Sequence, residues 1–320
     1  MRRTSWNALL AAGLVLAGLA AGAPPAAAKA SVLPVLSTSD AVGSIKPCGC
    51  HTPKGGFARI ASFVDSTKIK HGDALVLDAG DFAPDVTKEY ESPKLDFQFD
   101  IMGLIGYDAI GVGERELAFG VDRLKALSAR AKLPIIASNL VSKESGKPIF
   151  LTSKVVKKGN VKVGVFSVMS PKIELTAEAM SQVTIEDPLA TAQRMVAELE
   201  KQVDVIVVMA HLGRVEGEDL AAQVPGIDVV VLAHHPGFVA QGRRVNQAVT
   251  VATGEQIQNM GITLVTLDGR KVTDLSSETR VLLPEVGERA DIARLTKDFE
   301  DRQNEALKKA QAPPAPAGTN

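Results

Sequence analysis

Val203-Asp-Val-Ile-Val-Val-Met209 and Ile227-Asp-Val-Val-Val-Leu232 are runs of aliphatic, mostly β-branched residues, each followed within two positions by a histidine, His211 and His234. Runs this apolar predict strands buried on both faces, the habit of a largely parallel sheet covered by helices. Pro188–Gln202, just before the first run, has the spacing of an amphipathic helix. Toward the N-terminus the alternation continues. Strands are predicted at Val32–Leu36, Ala74–Leu77, Tyr107–Val112 and Pro134–Ala137, with helical stretches at Phe57–Lys68, Asp96–Ile105 and Val121–Ala131. Lys154–Lys158 and Lys162–Ser167 form a hairpin through Gly159-Asn160. Val249–Ala252, Ile262–Leu267 and Lys271–Val281 finish with hairpin-like strands around Asp268-Gly269. The fold class predicted is α/β, two packed mixed sheets flanked by helices. No internal repeat is present.

The 320 residues are 45% hydrophobic, 23% charged and 4% aromatic. This composition excludes a disordered chain, a collagen-like repeat and a disulfide-stapled miniprotein. A net charge of −1 favours neither nucleic acid nor an acidic membrane surface as partner. The first 30 residues carry Arg2, Arg3 and Lys29 and no acid. A basic start, an apolar run from Ala8 to Ala23 and small residues near Ala28 and Ala30 predict a signal peptide cleaved at one of those alanines, which places the mature protein in the periplasm or outside the cell. The run is too short and too glycine-broken for a stable membrane span. The organisation expected is a leader over 1–30, an α/β domain over 31–285, a helix over 286–311 and a disordered tail over 312–320 rich in Ala and Pro.

Asp40, Asp81, Glu114, His211 and His234 each fall at or just past the end of a predicted strand. Strand C-termini in α/β sheets converge on one crevice, where ligands bind. Carboxylates and imidazoles gathered there suit a divalent transition metal, Zn, Mn or Fe. A single Asp in such a place is ordinarily a turn or helix cap; five such residues together point to a site.

Four stretches occur in the order of a known family: Leu77-Asp-Ala-Gly-Asp-Phe82, Gly106-Tyr-Asp-Ala-Ile-Gly-Val-Gly113, Met209-Ala-His-Leu-Gly213 and Asp228-Val-Val-Val-Leu-Ala-His234. With Gly55-Gly-Phe-Ala-Arg59 and Ser138-Asn-Leu140, they resemble the periplasmic 5′-nucleotidase (UshA-like) branch of the calcineurin-like metallophosphoesterases. The resemblance covers roughly residues 31–285. It implies a four-layer α/β/β/α sandwich, a metal centre between the sheets, and a small phosphorylated or related oxyanion substrate. Three family motifs are altered. Asp-x-His is Asp40-Ala-Val42, Gly-Asn-His-Glu is Gly113-Glu-Arg-Glu116, and Gly-His-x-His is Ala233-His-His-Pro236. Carried over residue by residue, Asp40, Asp81, His211 and His234 remain as ligands, and Glu114 replaces an Asn. Arg115 stands where the family has the histidine that assists the leaving group. These changes imply a degenerate site holding one cation, with a second left open.

Lys46-Pro-Cys-Gly-Cys-His-Thr-Pro-Lys-Gly-Gly56 follows the strand that carries Asp40. A bond between Cys48 and Cys50 would staple nothing distant. Chemistry is the stronger explanation: soft metal ligation in place of the missing imidazoles, or a redox pair with its own redox partner. An inert disulfide is the third possibility. With Gly-Glu-Arg-Glu, this loop resembles a divergent Cys-Gly-Cys group labelled UshA-like selenoproteins. The function expected is an exported metal-dependent hydrolase of the phosphoesterase type. A thiol redox protein on that scaffold and a catalytically inactive binding module are the alternatives.

Overall fold

A computed structural model describes residues 30–311 of the chain. The expected leader, except Ala30, and the 312–320 tail lie outside the described residues. The chain opens with β1 (Ser31–Thr38), α1 (Phe57–His71), β2 (Leu75–Asp78), α2 (Pro93–Ile105), β3 (Ala109–Ile110), α3 (Glu114–Leu117) and α4 (Val121–Ala131). It continues through β4 (Leu140–Ser142), β5 (Ser153–Lys158), β6 (Val161–Met169), α5 (Ala177–Gln182), β7 (Val183–Ile185), α6 (Pro188–Leu199), β8 (Val205–His211) and α7 (Gly213–Gln223). The remainder is β9 (Val229–Ala233), β10 (Arg243–Val245), β11 (Ala248–Ala252), β12 (Asn259–Asp268), β13 (Lys271–Val281) and α8 (Ala290–Gln311).

Two mixed sheets result, ordered β13-β12-β1-β2-β3 and β10-β11-β9-β8-β6-β5. In the first, parallel β1-β2-β3 form one side and antiparallel β12 and β13 the other; in the second, parallel β6-β8-β9-β11 form the centre and antiparallel β5 and β10 close the edges. β4 and β7 pair separately as a small antiparallel ribbon. Side-chain parity sets the layers. Leu33 and Val35 of β1, Leu75 and Leu77 of β2, Val205, Val207 and Met209 of β8, and Val229 and Val231 of β9 fill the space between the sheets. The alternate residues turn outward. Leu36 and Val76 meet α1, α2, α4 and α8, whose core residues include Phe57, Phe99, Leu124 and Phe299. Ile206, Val208, Val230 and Leu232 meet α6 and α7 through Met195, Leu199 and Leu220. This is a four-layer α/β/β/α sandwich, and it explains why Val205–Met209 and Val229–Leu232 within the two decisive runs are apolar at every position. Each such side chain, fully buried, contributes roughly 1.5–3 kcal/mol before entropic costs.

The structure corrects some boundaries. Pro134–Ala137 is not a strand. Ile135 and Ile136 make only isolated bridges, to Ile110 and Leu151, because the chain crosses there from the first sheet toward the second. The last helix starts at Ala290, after a 3₁₀ turn at Pro284–Val286. A further helix, α7, begins two residues after His211, between the two decisive runs.

Candidate metal centre

Continuing the parity of β8 past Val207 and Met209 places His211, its last residue, in the layer between the sheets, where it is fully buried. Asp81 follows β2, Glu114 opens α3 after β3, and His234 follows β9. Four parallel strands of two sheets thus deliver four side chains to one place. One ligating atom from each of Asp81, Glu114, His211 and His234 lies within 4.8 Å of all the others. His211 Nε2 is 3.0 Å from Glu114 Oε2 and 3.7 Å from Asp81 Oδ2, and His234 Nδ1 is 3.2 Å from Glu114 Oε1.

The supporting contacts orient these groups. Ala79 O lies 3.1 Å from His211 Nδ1; a carbonyl only accepts, so the proton sits on Nδ1 and Nε2 faces the centre. The Arg115 backbone N–H donates to Asp81 Oδ1 at 3.1 Å. Glu116 is buried beneath, its carboxylate accepting the N–H groups of Asp81 (2.8 Å), Gly113 (2.8 Å) and Ala83 (2.6 Å). It clamps the loops carrying Asp81 and Glu114 to one another. Gly113 is obligatory because a Cβ there would overlap Asp81 Oδ1 and come within 2.5 Å of His211 Nε2. Asp40, Asp81, His234 and His235 all have positive φ, 50°, 58°, 68° and 53°, a conformation that costs energy in non-glycine residues and gathers at functional sites.

The electrostatics are those of crowded buried acids. Burial pushes Asp81 up to about 8, against the pull of His211. Burial favours neutral His211, but the charges of Asp81 and Glu114 outweigh it and raise its pKa to about 10. Burial also acts to raise Glu114, yet the hydrogen bond with His211 and the imidazole of His234 beside it hold its carboxyl well below the ordinary range. Asp40 is raised by burial.

Of the five expected ligands, four meet. Asp40 stands behind them: its Oδ1 accepts the backbone N–H groups of His234 and His235 at 3.1 Å each. Its Oδ2 is buried with no hydrogen-bond partner, and neither is His234 Nδ1 hydrogen-bonded despite its approach to Glu114. Unpartnered buried lone pairs beside a two-imidazole, two-carboxylate cluster fit a divalent cation, since such groups are otherwise costly to bury. Arg115 is half-buried, its Nε donating to Ala83 O at 2.8 Å. The cysteines do not supply the missing ligands. Cys48 and Cys50 are bonded to each other, and neither sulfur belongs to the cluster. The loop leans instead on the C-terminal elements: Lys46 pairs with Glu300, Gly55 N–H donates to Leu282 O, and Arg59 donates to Pro53 O and Leu282 O. Glu116, one of the two acids of Gly-Glu-Arg-Glu, is a site residue that the strand-end positions do not select.

No family model matches the chain. Among curated proteins it is 25% identical over 232 residues to a 2′,3′-cyclic-nucleotide 2′-phosphodiesterase/3′-nucleotidase of Yersinia enterocolitica, covering 63% of this chain and 36% of that protein. It is 23% identical over 271 residues to an uncharacterized metallophosphoesterase of Bacillus subtilis, covering 82% and 58%. The chain therefore spans between about a third and three-fifths of the length of these relatives. A solved 5′-nucleotidase precursor from Thermus thermophilus shares the fold with a TM-score of 0.75, at 22% identity over 85% of this chain and 59% of that one. In sequence the chain is thus similar to metallophosphoesterases and nucleotidases, and it shares the fold of solved 5′-nucleotidase and calcineurin-like phosphoesterase structures.

Proposed function

We propose that the protein is a metal-dependent phosphoester hydrolase whose cation is held by Asp81, Glu114, His211 and His234, with Asp40 behind them. The observation that carries this reading is the convergence of those four ligating atoms beside two buried lone pairs that have no partner. A divalent Mn, Zn or Fe ion bound there supplies Lewis-acid charge and activates water. The chain's own residues do the rest. Glu116 fixes the loops, Ala79 O fixes the His211 tautomer, and Arg115, anchored through Nε on Ala83 O, offers its remaining N–H groups to the negative charge of a phosphoryl or related oxyanion. The naming of relatives as nucleotidases and cyclic-nucleotide phosphodiesterases supports small phosphoesters as the substrate class.

The altered motifs support a site with fewer ligands than the family norm, and the Cys-Gly-Cys and Gly-Glu-Arg-Glu stretches support membership of the divergent Cys-Gly-Cys group. The basic, apolar and small-residue order of residues 1–30 supports export. Among the described residues no helix is long and apolar enough to cross a membrane.

The test is metal analysis together with hydrolysis of p-nitrophenyl phosphate and nucleoside monophosphates by purified protein. Stoichiometric Mn, Zn or Fe is expected, with turnover that survives Cys48→Ser and Cys50→Ser. Arg115→Ala is expected to lower kcat by about 10²-fold, the loss of one oxyanion donor. Protein that takes up no cation and turns over no phosphoester overturns the reading.

A further inference from the structure

The Cys48–Cys50 bond takes no part in the proposed hydrolysis, and its surroundings are asymmetric. The bond spans one residue, so it removes little freedom from the unfolded chain and its reduction costs the fold little. Cys50 is exposed and Cys48 half-buried. Space around Gly49 is open: apart from Cys48 and Cys50, no residue has an atom within 4 Å of a Cβ built there. Cys48 is tied to Lys54 twice: its N–H donates to Lys54 O at 2.9 Å, and the Lys54 N–H donates to Cys48 Sγ at 3.2 Å. Cys50 Sγ instead faces a carbonyl, Thr52 O, at 3.2 Å. An N–H stabilises negative charge on the sulfur it touches. A carbonyl oxygen repels such charge and accepts only from a protonated thiol.

We propose that this loop is a thiol–disulfide exchange site with a built-in direction, taking electrons from an exposed thiol of a small molecule or protein. The incoming thiolate attacks the accessible Cys50 sulfur. The Cys48–Cys50 bond breaks, its electron pair leaves on Cys48, and the new thiolate is held by the Lys54 N–H. A mixed disulfide now joins Cys50 to the donor. A second donor thiolate attacks the donor-side sulfur of that bond. Cys50 leaves and takes a proton, and Cys48 is protonated from solvent, so the pair becomes a dithiol and the donor its disulfide. The reverse sequence reduces the donor's disulfide to two thiols while the loop's dithiol is oxidised back to the Cys48–Cys50 bond. Nothing in these steps passes through the metal centre, so the exchange reading and the hydrolase reading fail independently.

The test uses the full-length protein in glutathione buffers of graded reduced-to-oxidised ratio, with maleimide labelling and intact-mass readout. Both thiols are expected to appear and disappear together and reversibly, with no loss of the folded circular dichroism signal. A pair that stays oxidised in fully reduced glutathione and in dithiothreitol, or that once reduced never re-forms its bond, overturns the proposal. Direction is read from the pH dependence of alkylation in the single variants. The Cys48 thiol of Cys50→Ser is expected to ionise about one pH unit below the Cys50 thiol of Cys48→Ser. Equal or reversed midpoints overturn the assigned direction.

Discussion

The two ends of the parallel strands use the same residue type in opposite ways. At the N-terminal ends, Asp108, Asp204 and Asp228 each precede a strand and each clasp one residue of the preceding strand in the sheet. Asp228 Oδ2 accepts the Ile206 N–H at 2.8 Å while the Asp228 N–H donates to Ile206 O at 2.9 Å. Asp108 does the same to Val76, and Asp204 to Lys162. At the C-terminal ends, Asp81 and Glu114 meet two imidazoles, and Asp40 Oδ2 behind them finds no partner. One edge is closed by local clasps between neighbouring strands. The other collects buried acids on strained backbone that neighbouring protein groups do not fully satisfy, which is the condition of a site rather than of a scaffold.

The comparison is broken most directly at Asp81. Asp81→Asn keeps an oxygen for the Arg115 N–H but removes the anionic ligand. The expected result is loss of bound cation by elemental analysis and a fall in phosphoesterase kcat on the order of 10³-fold, with chelation of the wild type giving the same loss. The matching substitution at the other edge, Asp108→Asn, is expected to leave cation content unchanged. Equal effects at the two edges would erase the distinction.

A smaller effect is expected at Glu116, which belongs to the site edge but works as the clasps do. Either orientation of the amide in Glu116→Gln sets an NH₂ against at least one of the three backbone N–H groups it now accepts. Stability is expected to drop by about 1–3 kcal/mol in urea unfolding, and cation affinity by about 10–100-fold as the Asp81 and Glu114 loops lose their common clamp. Affinity unchanged in a destabilised variant would show that the clamp serves folding alone.

How much of this was legible in the sequence follows from the same contrast. Parity within Val205–Met209 and Val229–Leu232 carries the layer arrangement, because a strand buried on both faces has to be apolar throughout. The positions of Asp81, Glu114, His211 and His234 at strand ends were enough to expect their meeting, since topology alone brings those ends together. The Pro134–Ala137 strand failed because apolar content marks burial and not ladder pairing. Glu116 escaped because its role is set by three backbone donors from two loops, contacts that no spacing encodes. Asp228 sits in a stretch that resembles the nucleotidases, yet its carboxylate works as a clasp; sequence similarity does not distinguish the two uses.

The smallest effect, and the cleanest measure of what a clasp contributes, is expected at Asp228. Burial pushes its pKa up to about 6, with the Ile206 N–H pulling the other way. The folded chain then holds this proton more tightly than the unfolded chain, whose aspartates titrate near 4. Its contribution to stability is therefore fully present below about pH 4 and is lost as pH rises through 6, a change of about 2–3 kcal/mol. Asn keeps an oxygen for the Ile206 N–H and carries no charge, so Asp228→Asn should flatten this part of the profile and equal or exceed the wild type at pH 7. Asp228→Ala should lose about 1–3 kcal/mol at pH 4, because the Ile206 N–H is left without its acceptor, and the deficit should shrink as pH rises through 6, since Ala carries no buried charge. Urea unfolding at pH 4, 5, 6 and 7 reads the difference between variant and wild type, in which the other carboxylates cancel. A wild-type-minus-Asn difference that does not vary across that range would mean that the clasp keeps its charge at no cost, and the two strand edges would then differ only in how many acids they gather.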